Sequence, residues 1–162
     1  MVALSVRRAE AADGATLLEL IDALADYEHL ERPDAAARTR LLADAFGPRP
    51  RFEVLLAEGD GHALGYAVIF ETYSTFLARP TLFLEDLFVR TESRSCGVGH
   101  ALFLRCVREA EQRGCGRMEW SVLDWNALAL GFYDRLGARR LEEWRPYRLT
   151  REDMARLLAD HP

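Results

Sequence analysis

The stretch Val89–Gly114, VRTESRSCGVGHALFLRCVREAEQRG, decides how this chain folds. It follows an apolar run, TLFLEDLFVR (Thr81–Arg90), that reads as a strand, and it carries a helix-like run from Val98 that Gly114 closes. Between the two stands Arg94-Ser95-Cys96-Gly97-Val98-Gly99. Glycine is costly inside a regular element, so a Gly-x-Gly pair at the mouth of a helix marks unusual backbone angles or a close backbone approach. A helix N-terminus beside such a loop is a ready anion site, because its first amides have no acceptor within the helix. Spacing alone leaves two readings open, a tight strand-to-helix turn and an anion cradle. Two named phosphate binders are excluded. The dinucleotide fingerprint G-x-G-x-x-G needs a third glycine where this chain has Leu102, and a Walker A loop needs Gly-Lys-Ser/Thr.

Outward from this stretch, apolar periodicity predicts a strand over ALSVRRA and a helix over AADGATLLELIDALADYEHLE, with Leu17, Leu20, Ile21 and Leu24 at helical spacing. TRLLADAFG reads as a second helix stopped by Gly47, and FEVLLAEGDGHALGYAVIFETYST as two strands around the turn EGDGHA. After the central stretch come a strand, RMEWSVLD, and a helix, ALALGFYDRL, capped by Asn126 and ended by Gly137. ARRLEEW and PYRLT read as two closing strands, and Thr150-x-x-Asp153 is a capping-box start for a last helix. The fold class that follows is mixed α/β (α+β), a single domain over residues 1–162 with a largely antiparallel sheet flanked by helices.

Composition narrows the chemistry. A chain of 162 residues that is 49% hydrophobic suits one core, and no apolar run reaches the ~20 residues that span a bilayer. The N-terminus lacks a signal-peptide pattern. Cys96, Cys106 and Cys115 are an odd number without metal-ligand spacing, which predicts free thiols in a reducing, cytoplasmic setting and no bound metal. A formal charge of −5 argues against nucleic-acid binding and favours cationic small molecules. Every side-chain cation apart from histidine is arginine, so lysine Schiff-base chemistry is excluded.

Two constellations carry candidate chemistry. Glu85 and Asp86 lie inside the apolar run FLEDLFV, where unpaired charges are seldom buried, so one or both are expected to face a cleft. As neighbours on a strand they are expected to point to opposite faces and not to form a dyad. Asn126 and Tyr133 are seven residues apart, nearly two helical turns or ~10 Å along one face. A phenol with pKa near ~10 is protonated at neutral pH and suited to donating a proton to a leaving group.

Taken in order, YEHLE, ADAFG, LEDLFV, RSCGVG, VLDWN, FYDRLGA and the region of Trp144 resemble the GNAT superfamily of acyl-CoA-dependent N-acetyltransferases. Within it they are most similar to the spermidine/spermine (diamine) and thialysine N-acetyltransferase group, over about Val6 to Leu149. The resemblance implies a GNAT fold, acetyl-CoA as co-substrate and direct attack by a primary amine of a small cationic acceptor. It implies that Gly97, Val98 and Gly99, with Ser95 and Arg94, hold the pyrophosphate, and that Leu87, Phe88, Val89 and Asn126 line the pantetheine arm. Tyr133 would sit by the thioester sulfur as general acid. Glu85 would bind the amine or order a water that takes its proton, and Asp86, Tyr27, Glu28 and Glu31 would face the acceptor. A homodimer is implied as well. Ser95 departs from the usual glycine, and a positive φ there would strain the loop. A polyamine acceptor needs spaced acids, whereas an amino-acid acceptor needs a carboxylate partner such as Arg79, Arg145 or Arg148. An aminoglycoside, a protein amine and a non-catalytic acyl-CoA-binding role stay open.

Overall fold

The computed structural model describes residues 4–161; Ala3, the first residue of the predicted first strand, lies outside them. Ten main elements follow in order: β1 (Ser5–Arg8), α1 (Gly14–Tyr27), α2 (Ala35–Phe46), β2 (Glu53–Gly59), β3 (His62–Ser74), β4 (Arg79–Val89), α3 (Val98–Gln112), β5 (Arg117–Glu119), α4 (Ala127–Arg135) and α5 (Arg151–Asp160). The chain divides into two compact units, the first ending at Ser121 and the second beginning at Val122.

The first unit is built on one sheet in the order β1-β2-β3-β4-β5, antiparallel except for the β4–β5 pair. Alternation along the strands sends Val54, Leu56, Tyr66, Val68 and Phe88 to the face where Leu17 and Leu20 of α1 and Ala45 of α2 are buried in the same core cluster. The opposite set, Leu55, Ala67, Ile69, Leu82 and Leu84, is also buried, and α3 covers that face with Val98, Leu102 and Cys106 at helical spacing. Hydrophobic faces on both sides of one sheet fix its depth between two helical layers.

Helix boundaries follow local chemistry. Asp34 caps α2 by accepting from the Ala37 amide, so α2 starts four residues before the predicted Thr39. α1 ends at Tyr27, short of the predicted Glu31, because His29 adopts a left-handed φ of 58° and the chain turns away from the helix. Gly114 and Gly137 take positive φ at the ends of α3 and α4, as their placement predicts. The predicted strand over residues 117–124 is real only over Arg117–Glu119, because its pairing with β4 stops at Phe83↔Glu119.

The second unit contains α4, α5 and an irregular connection. Asn126 Oδ1 accepts from the Ala129 amide as the α4 N-cap, and Thr150 and Asp153 form the predicted capping box of α5. The two predicted closing strands over residues 138–150 are absent among the described residues. That segment is exposed, and its apolar residues, Leu141, Trp144, Tyr147 and Leu149, do not hold the two-residue period of a strand. No described helix is long and apolar enough to cross a membrane.

One close contact ties β3 to β4. Gly65 lies opposite Val89, and a Cβ built on it would stand 2.4 Å from the Phe88 carbonyl oxygen. Gly65→Ala is therefore expected to lower unfolding free energy by about 1–3 kcal/mol, measured by urea denaturation; an unchanged midpoint contradicts this packing.

Candidate active site

The centre of the site is an irregularity in β4. Val68 pairs with Asp86 and Ile69 pairs with Leu84, so Glu85 is an extra residue without a cross-strand partner. Before the bulge, Phe83 lies opposite Phe70 with ring centroids 5.3 Å apart, and Glu85, two residues on, belongs to that face. After it, Asp86 opposes Val68 and Phe88 opposes Tyr66, again on the α1/α2 side. The bulge thus turns two adjacent carboxylates to one face. The expectation that they point apart is wrong for that reason: it assumed an unbroken two-residue period.

Both carboxylates line a cavity of about 470 Å³ with Arg51, Phe52, Val68, Phe70, Ile21 and Leu41. Tyr66, fully buried, donates its hydroxyl to Asp86 Oδ2 at 3.1 Å. Burial pushes the Asp86 carboxyl up to about 6; the Tyr66 hydrogen bond works against this, and the charges of Glu85 and Glu28 add to it. Burial also raises Glu28, the C-cap of α1, and the Tyr66 phenol is held well above its usual range by burial and by Asp86. Three acids and a buried phenol within electrostatic reach of one another make a site that favours a proton or a cation.

The Gly-x-Gly loop joins this region through Arg94. Its Nε donates to the Val89 carbonyl at 3.1 Å, and its guanidinium carbon lies 4.4 Å from the Tyr27 ring centroid and 5.9 Å from that of Phe88. Arg94 therefore braces the loop against the end of α1. Ser95 has φ 63°, so the non-glycine residue at this position does sit in the left-handed region. Gly97, the N-cap of α3, has φ 82° and nothing within 4 Å of where a Cβ would stand. The α3 geometry leaves the amides of Val98, Gly99 and His100 without helical acceptors at this side-chain-free mouth. β4 runs on through Leu87, Phe88 and Val89 beyond its last pair with β5, so its outer edge there has no paired strand among the described residues.

Within the second unit, Tyr133 is buried on α4 and packs edge-on against Phe132 at 5.1 Å; Asn126 stands at the start of the same helix. Arg79 opens β4 six residues before Glu85 and is not among the residues that line the cavity; Arg145 and Arg148 are exposed in the irregular connection of the second unit. The sequence reading missed Tyr66 and Arg51. Tyr66 has the pattern of a core aromatic, and only the register of β3 and β4 brings it to Asp86; Arg51 sits in the loop before β2, and the geometry of that loop puts it on the wall of the same cavity. No group of three His, Cys, Asp or Glu suited to a metal occurs among the described residues.

Residues 17–138 match the model of the acetyltransferase (GNAT) family. The chain is 34% identical to a thialysine N-epsilon-acetyltransferase of Sus scrofa, over 97% of this chain and 98% of that protein. It is 30% identical to the Homo sapiens spermidine/spermine N(1)-acetyltransferase-like protein 1, over 92% of this chain and 23% of that one. Among solved structures, an integron cassette protein from the mobile metagenome of V. cholerae superimposes with TM-score 0.83 at 21% identity, covering 96% of this chain and 98% of its own.

The Asp86 carboxyl binds its proton more tightly in the folded chain than in the unfolded one. Its contribution to stability is full below about 3.8 and is lost as pH rises through about 6. Asp86→Asn removes that dependence. Thermal melts from pH 4 to pH 7 should show the variant gaining on the parent protein as pH rises; a constant difference contradicts the site's electrostatics.

Proposed function

Since the chain belongs to the acetyltransferase (GNAT) family and is an N-acetyltransferase related to the thialysine and spermidine/spermine enzymes, we propose that it moves acetyl from acetyl-CoA to a primary amine of a small cationic acceptor. The observation that carries this reading is the same-face pair Glu85 and Asp86 in a cavity of small-molecule size. An alkylammonium ion must lose its proton before it can attack, and a carboxylate held near pH 6 binds the cation and accepts that proton with little mismatch to neutral pH.

The binding of acetyl-CoA is supported by the fit of the residues. The mouth of α3 at Gly97, Val98 and Gly99 offers amides free of side-chain obstruction, suited to a pyrophosphate. Ser95 belongs to the same cradle, with Arg94 holding its shape from the Tyr27 side. The unpaired edge of β4 at Leu87, Phe88 and Val89 suits the amides of the pantetheine arm, and in our reading Asn126, whose oxygen caps α4, contacts the same arm. Acetyl-CoA supplies an activated acyl group on a thiol leaving group. In our reading the Tyr133 phenol gives its proton to the departing sulfur. Glu85 and Asp86 bind the acceptor and take its proton, and Glu28 and Tyr27 read the acceptor's far end.

We take the whole of residues 1–162 as one acetyltransferase domain acting in the cytoplasm as a homodimer. Exposed Leu141, Trp144, Tyr147 and Leu149 in the irregular connection support a self-association surface. A panel of spermidine, putrescine, thialysine, lysine, an aminoglycoside and a short peptide, followed by thiol release from acetyl-CoA, tests the proposal. Turnover of at least one amine is expected, reduced at least ~10-fold by Tyr133→Phe. Acetyl-CoA binding without turnover of any amine would favour a binding module instead.

A further inference from the structure

Tyr66 brings a hydroxyl to a sheet face whose other aromatic residues on β3 and β4 are Phe70, Phe83 and Phe88. A buried hydroxyl is costly unless it is hydrogen-bonded, and that of the fully buried Tyr66 donates to Asp86 Oδ2 at 3.1 Å. The two residues are diagonal neighbours: Tyr66 is opposite Phe88, and Asp86 stands two residues before Phe88 on β4. An aromatic side chain spans that separation. The contact depends on the bulge, because an unbroken two-residue period would send Asp86 to the α3 side.

The two oxygens of Asp86 are therefore not equivalent. Oδ2 is held by Tyr66, whereas Oδ1 accepts no hydrogen bond from the described residues. Nor is Oδ1 sealed in, since Thr81 Oγ1 is the buried side-chain polar atom without a partner among the described residues. Asp86 lines the cavity beside Glu85. We propose that Tyr66 is a positioning residue of the reaction: its hydroxyl fixes Oδ2 of Asp86 so that Oδ1 takes the proton from the acceptor's ammonium group. The N–H bond breaks, an O–H bond forms on Oδ1, and the nitrogen keeps the electron pair with which it attacks the thioester carbonyl. The groups around Asp86 fit this role. Burial raises its carboxyl, Glu85 on β4 and Glu28 at the end of α1 add to this, and Tyr66 on β3 works against it, leaving it at about 6. Arg51, from the loop before β2, is the other charged residue on the wall, and α1 and α2 line it with Ile21 and Leu41. A carboxylate so placed is a stronger base than an ordinary one and is still ionised at neutral pH. The Tyr66 phenol is held well above its usual range, so it stays the donor. Glu85 is exposed and attracts the cation without holding its proton.

The inference rests on the acetyltransferase reading, and pH profiles of kcat/KM for each panel amine that is turned over separate the two. The parent protein should show an acid limb near pH 6. Tyr66→Phe keeps the ring and removes the interaction that lowers the Asp86 carboxyl, so the limb should move up by about one pH unit. Activity should then fall about 5-fold near pH 6 and return close to the parent value by about pH 8.5. A variant that merely packs less well loses activity equally at every pH. Asp86→Asn should abolish the limb and lower kcat by about 10²- to 10⁴-fold, whereas Glu85→Gln should keep a limb, moved to lower pH. A Tyr66→Phe limb that stays where the parent has it overturns the inference. So does a limb that survives Asp86→Asn and disappears in Glu85→Gln. Either result leaves the acetyltransferase reading in place. Turnover of no amine by the parent protein, with acetyl-CoA still bound, overturns that reading and this inference together.

Discussion

A strand in a sheet shows successive side chains to opposite faces, and β4 breaks that rule once, at Glu85. The rest of the site depends on this break. Without the extra residue, the register that buries Leu82 and Leu84 under α3 would turn Asp86 toward α3 as well, and Phe88 with it. With the bulge, Asp86 meets Tyr66, Phe88 joins the α1/α2 core, and Glu85 stays beside Asp86 on that face. The same strand keeps two packed faces and yet delivers two charges to one cavity. A bulge also increases local twist, and here the β4–β5 pairing ends within two residues of it.

Electrostatics then follow from placement. Asp86 is removed from water, faced by Glu85 and Glu28, and held by one hydroxyl, so its charged form is disfavoured without being abolished. Tyr66 serves as a positioning residue: its hydroxyl fixes one carboxylate oxygen and leaves the other to act. Arg94 links this pocket to the Gly-x-Gly loop, since one guanidinium contacts the Val89 carbonyl and the rings of Tyr27 and Phe88. That side chain braces the loop against α1 and against Phe88, two residues along β4 from Asp86. The left-handed Ser95, costly for a residue with a Cβ, belongs to that brace.

Much of this was legible in the residues. Helical spacing gave α1 and α3, glycines gave the stops at residues 114 and 137, and the order of short motifs gave the family before any coordinates. The bulge was not legible, because an inserted strand residue is defined by its partner strand and leaves no mark of its own in LFLEDLF. Tyr66 was not singled out, since only its partner across β3 and β4 makes its hydroxyl matter. The closing strands were over-read: Leu141, Trp144, Tyr147 and Leu149 stand three, three and two residues apart, which is not the two-residue period of a strand. Arg51 stayed hidden for the opposite reason. It has no pattern, and its place in the cavity comes from loop geometry alone.

The most direct measurement is the titration of the Asp86 side-chain carbonyl by carbon-13 NMR, assigned through Asp86→Asn and repeated in Glu85→Gln. The account predicts a midpoint near 6 in the parent protein and a clear fall when the neighbouring charge is removed, because the bulge holds both carboxylates on one face. A midpoint in the ordinary carboxylate range near ~4, unmoved by Glu85→Gln, would contradict the bulge as the origin of the site.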